Sequence, residues 1–255
     1  MEEKNLTVVK SNSLIQASYR LSLGEKRLLL ACIAKLDSKG VKYAKDDGVT
    51  VTAREFTELF EIKSNNAYRD LEDAAEKLFE RKITFDDKPR KIKYVSRWAS
   101  DMDYNYGEGS VTIHFSQRIL PYITQLEARF TQYRLERVAT LTSTHAIRIY
   151  ELCLQYLKLG HRKFETEHLK KILGVESEYP EFKDFNKRVI KPSLEQINRR
   201  TDLNIKIERI RKLRKIVALK FIIKQKSKTS HKASAQKMNT KFKKMGEILE
   251  DTTIQ

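Results

Sequence analysis

Between Glu181 and Lys226 the chain carries fifteen lysines and arginines against five acids, and the first of them recur at the spacing of a helix face. At about 100° per residue from Phe182, the side chains of Phe182, Phe185, Val189, Ile190, Leu194 and Ile197 share one broad apolar side. Asp184, Lys187, Arg188, Lys191, Glu195 and Asn198 fall opposite, Lys183 lies at the edge, and Asn186 falls on the apolar side. Lysine and arginine donate hydrogen bonds to guanine O6 and N7, and a carboxylate accepts from cytosine N4. Lys183, Asp184, Lys187, Arg188 and Lys191 are therefore the candidate base-reading set, and Asn186 is not. Farther on, Arg209-Ile210-Arg211-Lys212-Leu213-Arg214-Lys215 is almost wholly basic. Taken alone, the helix could be an ordinary solvated surface. A basic hairpin tip beside a basic helix is the arrangement that phosphate positioning requires.

Other chemistry finds little support. The chain has 51 Lys and Arg against 34 Asp and Glu, a net charge of +17, which implies a polyanionic partner such as nucleic acid, with an acidic membrane surface as the competitor. The histidines (His114, His145, His161, His168 and His231) form no His-x-His or His-x-x-x-His pair, and no Cys-x-x-Cys exists, so neither a metal site nor a cofactor is expected. No phosphate-binding Gly-rich loop or nucleophile elbow is present, and no catalytic residue is assigned. The carboxylate pairs Asp46-Asp47 and Asp86-Asp87 read as solvated turn residues, and Cys32 and Cys153 as buried thiols. Without a long apolar run or a signal-like leader, a cytoplasmic protein without a membrane partner is expected.

The elements that position these residues follow one order, used twice. Ser22 and Glu25 have capping-box spacing ahead of Leu28, Leu29, Cys32, Ile33 and Leu36. A short strand (Val49, Val51), a short helix (Phe56, Leu59, Phe60), a turn at Lys63-Asn66 and a third helix (Leu71, Ala75, Leu78) come next. A hairpin then carries Ile83, Phe85, Ile92 and Tyr94. The second half repeats this, with the helix of Ile147 and Leu154, the extended Phe164, the helix of Leu169 and Leu173, the turn at Gly174, the basic helix and a final hairpin. The fold class expected is α+β, with two tandem winged-helix domains at 1–120 and 121–226, a helical junction near Leu120–Arg129, and a flexible basic tail at 227–255. Pro192 removes a backbone donor inside the basic helix, so a kink or break is expected there. The third helix of the first half offers Asn65, Asn66, Tyr68 and Arg69 as auxiliary DNA contacts, but its acids Asp70, Glu72, Asp73 and Glu76 repel phosphate.

Three segments, NLTVVKSNSLIQASYRLSLGEKRLLLACI from Asn5, FTQYRLERVATLTSTHAIRIYELC from Phe130 and FKDFNKRVIKPSLEQINRRTDLNIKIERIRK from Phe182, resemble the replication initiator proteins of iteron-containing bacterial plasmids. The resemblance implies binding of double-stranded DNA at short direct repeats of a plasmid origin, with the second domain reading most of the sequence. It also implies a first domain that mediates dimerisation, a monomer–dimer equilibrium in which dimers repress their own gene, and two host partners, the chromosomal initiator and the replicative helicase. By position it places base reading on Lys183, Lys187, Arg188 and Lys191, and wing phosphate contacts on Arg211, Lys212, Arg214 and Lys215. Ser143, Thr144 and Arg148 at a helix start, with Arg199 and Arg200, complete the expected phosphate set. The wing turn has no glycine, so a looser turn than usual is expected. The alternatives are a winged-helix transcriptional repressor and a nicking enzyme built on one of the eleven tyrosines, which the missing histidine pair disfavours.

Overall fold

The computed structural model describes residues 6–38, 48–87, 91–124, 126 and 128–226. The tail at 227–255 and the Asp46-Asp47 pair lie outside the described residues. The first half begins with β1 (Thr7–Ser11), α1 (Asn12–Gln16) and α2 (Leu23–Ser38). Ser22 and Glu25 form the expected capping box at the start of α2, with Ser22 N donating to Glu25 Oε2 at 3.0 Å and Glu25 N to Ser22 Oγ at 3.3 Å. β2 (Val49–Thr52), α3 (Ala53–Phe60), α4 (Ala67–Glu80), β3 (Lys82–Asp87), β4 (Ile92–Arg97), β5 (Ala99–Asn105) and β6 (Ser110–Phe115) follow, and Thr52 with Glu55 closes a second capping box. The second half holds β7 (Phe130–Arg134), α5 (Glu136–Ala139), α6 (Thr144–Leu154), β8 (His161–Glu165), α7 (Thr166–Leu173), α8 (Phe182–Phe185), α9 (Lys191–Arg200), β9 (Leu203–Lys212) and β10 (Lys215–Gln225).

Each half builds a three-stranded antiparallel sheet beside three helices, in the order β2-β6-β5 and β8-β10-β9. This is the expected α+β architecture of two tandem winged-helix domains. Two details correct the sequence reading. In the first half the wing is β5 with β6, while the hairpin at Ile83–Tyr94 is a separate two-stranded sheet, β3 with β4. Asp86 and Asp87 end strand β3, opposite Lys93 and Ile92, and do not occupy a turn. The helical junction is reduced, among the described residues, to one 3₁₀ turn at Leu120–Tyr122. The segment after it returns as β7 to pair with β1, Val8 opposite Tyr133 and Lys10 opposite Thr131.

One continuous apolar core runs through both halves, from Val8 and Leu28 to Ile197 and Phe221. Cys32 and Cys153 are free thiols within it, and burial pushes the Cys32 thiol up to about 12. A buried ionic cluster crosses the junction. Glu151 of α6 accepts from Lys10 Nζ at 2.6 Å, Tyr133 OH at 2.6 Å and Lys26 Nζ at 2.9 Å, and all three charged side chains are solvent-free. Burial alone raises the Glu151 carboxyl, but Lys10, Lys26 and Arg148 together outweigh it and hold the group well below the usual carboxylate range. Burial depresses Lys10 to about 8 in spite of Glu151.

Pro192 is accommodated without a break. Residues Asn186–Ile190 form a single π turn between α8 and α9, and the Lys191 N–H donates to the Asn186 carbonyl. The wider turn lets Pro192 sit in the first turn of α9, where a missing N–H costs least. The wing turn is also tighter than expected: Lys212 pairs directly with Lys215, and Leu213 takes a left-handed φ of 54° with 95% of its surface exposed. That conformation costs a non-glycine residue about 1–2 kcal/mol. Leu213→Gly should therefore raise stability by about 0.5–1 kcal/mol in urea denaturation, the remainder being offset by the greater chain entropy of glycine when unfolded. A loss of stability would show that the leucine side chain supports the turn.

Candidate nucleic-acid interface

The helix from Phe182 to Arg200 is amphipathic in the sense its spacing predicts. Phe185, Val189, Ile190, Leu194 and Ile197 are buried, and Lys183, Asp184, Lys187, Arg188 and Lys191 are exposed. Asn186 is half-buried. Among the described residues, Lys183, Asp184, Lys187 and Arg188 have no ion-pair partner, whereas Lys191 lies 4.0 Å from Glu195 one turn on. Such exposed pairs contribute little and open readily.

The helix is held rigidly from behind. Asn198 bridges to β9 through its amide, donating to the Ile205 carbonyl at 2.9 Å and accepting from the Ile205 N–H at 2.6 Å. Gln196 Oε1 accepts from the Thr142 N–H at 3.0 Å, which ties α9 to the start of α6. The Arg209 guanidinium lies 5.7 Å from the Phe182 ring centroid and joins the wing to the first turn of the basic helix. At the far end of β9 and β10, Arg211, Lys212, Arg214 and Lys215 are all exposed, and among the described residues none has an ion-pair partner. The basic helix and the wing are thus tied to each other and to α6.

The remaining expected contacts divide. Arg199 is exposed, but Arg200 is half-buried and donates to the Thr140 carbonyl at 2.5 Å, a structural tie. The Ser143 hydroxyl caps α6 by accepting from the Ala146 N–H, and Thr144 is half-buried in the first turn. Arg148 is not on the outer surface where its helix-start position placed it. It is 4% exposed, and its Nη2 donates to the carbonyls of Ala17 at 2.7 Å and Ile172 at 2.8 Å. In the first half Asn65, Asn66 and Arg69 are exposed at the start of α4, while Tyr68 is half-buried with its ring edge-on to Tyr106 at 5.8 Å. Spacing gave no signal of a second cationic group, in which Arg20, Arg81 and His145 meet where the halves join. Positions so far apart in the chain become neighbours only through the fold.

Among the described residues no group of three or more His, Cys, Asp and Glu is placed to hold a metal ion, and no helix is long and apolar enough to cross a membrane.

Comparison with known proteins agrees with this architecture. A replication initiation protein of Escherichia coli is 29% identical over 213 residues, covering 80% of this chain, and the chain spans 66% of that relative's length. The PI protein of Escherichia coli is 23% identical over 233 residues, 79% of this chain and 76% of that one. The crystal structure of the Pi initiator protein in complex with iteron DNA superposes with a TM-score of 0.72 over 87% of this chain and 98% of that one, at 20% identity, which establishes the shared fold. The model of the initiator replication protein WH1 domain matches residues 7–154, and that of the initiator Rep protein WH2 domain matches residues 165–223. The first of these alone spans more than half of the chain, which therefore belongs to the initiator replication protein family.

Proposed function

We propose that this protein initiates plasmid replication by binding direct repeats in duplex DNA at the origin. The observation that carries the reading is the exposed basic face of Lys183, Lys187 and Arg188, without an ion-pair partner among the described residues, together with the exposed wing cations, on an initiator scaffold. A helix of this kind fits the major groove, and its N-terminal residues reach base edges while the wing follows the phosphates. Residues 121–226 are the main reader. Residues 1–120 add weaker contacts through Asn65, Asn66, Tyr68 and Arg69, since the acids of α4 oppose phosphate.

Binding energy spent on bending and opening the adjacent duplex replaces covalent chemistry in this scheme. The first domain also mediates dimerisation. The dimer represses its own gene, the monomer acts at the origin, and the chromosomal initiator and replicative helicase of the bacterial cytoplasm are recruited there.

Lys212→Ala tests the wing. It should weaken binding to duplexes of any sequence and reduce the slope of log K against log salt by about one. An unchanged slope, measured by fluorescence anisotropy across a salt series, would remove Lys212 from the contact surface.

A further inference from the structure

Where the two halves meet, a cavity of about 460 Å³ is lined by Arg20, Lys26 and Arg81 of the first half and Thr144, His145 and Arg148 of the second. That volume suits a small ligand. The charges around it are unevenly matched. Lys26 is committed to Glu151 at 2.9 Å, Arg81 holds the buried Glu25 through two bonds of 3.0 and 3.1 Å, and Arg20 meets Glu178. Arg148 acts on Glu151 one turn along α6 but, among the described residues, meets no carboxylate at ion-pair distance. Its two hydrogen bonds go to neutral carbonyls, its guanidinium carbon lies 3.7 Å from the Tyr19 ring centroid, and its Nε and Nη1 are buried with no hydrogen-bond partner among the described residues.

A buried cation with unused donors is costly unless an anion or a fixed acceptor completes it. The first turn of α6 adds to the same side of the cavity. Thr144 and His145 stand at the positive end of this eleven-residue helix, where peptide N–H groups lack intrahelical acceptors. The imidazole reports the local field, since burial and then the nearby Arg20 hold the His145 ring below its usual range. A tetrahedral oxyanion has acceptors to meet a guanidinium and a helix start together.

We infer that this cavity is an anion site that takes a phosphate group, held by Arg148 and the first turn of α6 with Arg20 and His145 beside them. The group is either a DNA backbone phosphodiester or free inorganic phosphate. Only the first source rests on the duplex-binding reading. Either one would tie the start of α6 to Arg20 across the cavity.

The test follows the His145 ring by proton NMR in the full chain, with His145→Gln to assign its resonance. One arm titrates inorganic phosphate against chloride at constant ionic strength, and the other a short duplex of generic sequence. A saturable shift of His145 with a raised titration midpoint is expected, and Arg20→Gln and Arg148→Lys should each weaken the phosphate midpoint by roughly tenfold. Arg20 is 64% exposed, so its variant keeps the test valid should the Arg148 variant misfold. A response to free phosphate identifies an ion site, and a response to duplex alone identifies a backbone contact. No response in either arm, or a response unchanged in both arginine variants, would overturn the assignment. Arg188→Ala should leave the phosphate arm untouched, which separates failure here from failure of base reading.

Discussion

Glu151→Gln should lower the free energy of unfolding by about 3–5 kcal/mol, because it leaves two buried ammonium groups without a counter-charge. Lys10 and Lys26 are both solvent-free, and both bind the same carboxylate, from β1 and α2 respectively. The glutamine keeps the shape and one acceptor but loses the charge that balances them. Urea denaturation reads the effect, and a change below about 1 kcal/mol would mean that the lysines find water or become neutral at little cost. Replacing all three by apolar residues of similar volume should restore most of the loss, since desolvation of the whole cluster is then avoided. The pH dependence has a definite sign. The folded Glu151 carboxyl titrates well below its unfolded value, so its stabilisation is complete above the ordinary carboxylate range. It is lost progressively as pH falls through that range toward the folded value. The acid limb of the stability curve should therefore be shallower in Glu151→Gln than in the parent.

Arg188→Ala should weaken binding to the cognate repeat by about 1–3 kcal/mol while leaving binding to random duplex nearly unchanged. Arg188 is exposed on the face opposite Val189 and Ile190, and among the described residues it has no ion-pair partner that must first be broken. A bidentate donor to guanine is lost only where guanine is present at the matching position. An equal loss on both DNAs would reassign Arg188 to the phosphate backbone. Because the side chain carries no packing load, the variant should melt within about 0.5 kcal/mol of the parent.

The apolar side of the 182–200 helix was legible because its pattern is local: five periodic positions are buried where the spacing puts them. What Pro192 does was not legible, since a kink, a break and a π turn all answer a missing donor. The i→i+5 bond from Lys191 to Asn186 decides it. The first-half wing was misplaced because Ile83 and Phe85 alternate as wing residues would, and only the pairing of β6 with β2 reveals which hairpin joins the sheet. Arg148 read as a surface cation because its partners are distant in the chain. Residues 10, 26, 133 and 151 meet only once β1 has paired with β7. The glycine-free wing turn forms because Leu213 tolerates the left-handed region at a modest cost.

Hydroxyl-radical footprinting of the purified chain on the DNA that flanks its own gene tests the central claim most directly. Binding through the 182–200 helix and its wing predicts protection of tandem direct repeats of roughly twenty base pairs, lost with Arg188→Ala and weakened with Lys212→Ala. Protection that is uniform along the DNA, or a repeat pattern that survives both substitutions, would contradict it.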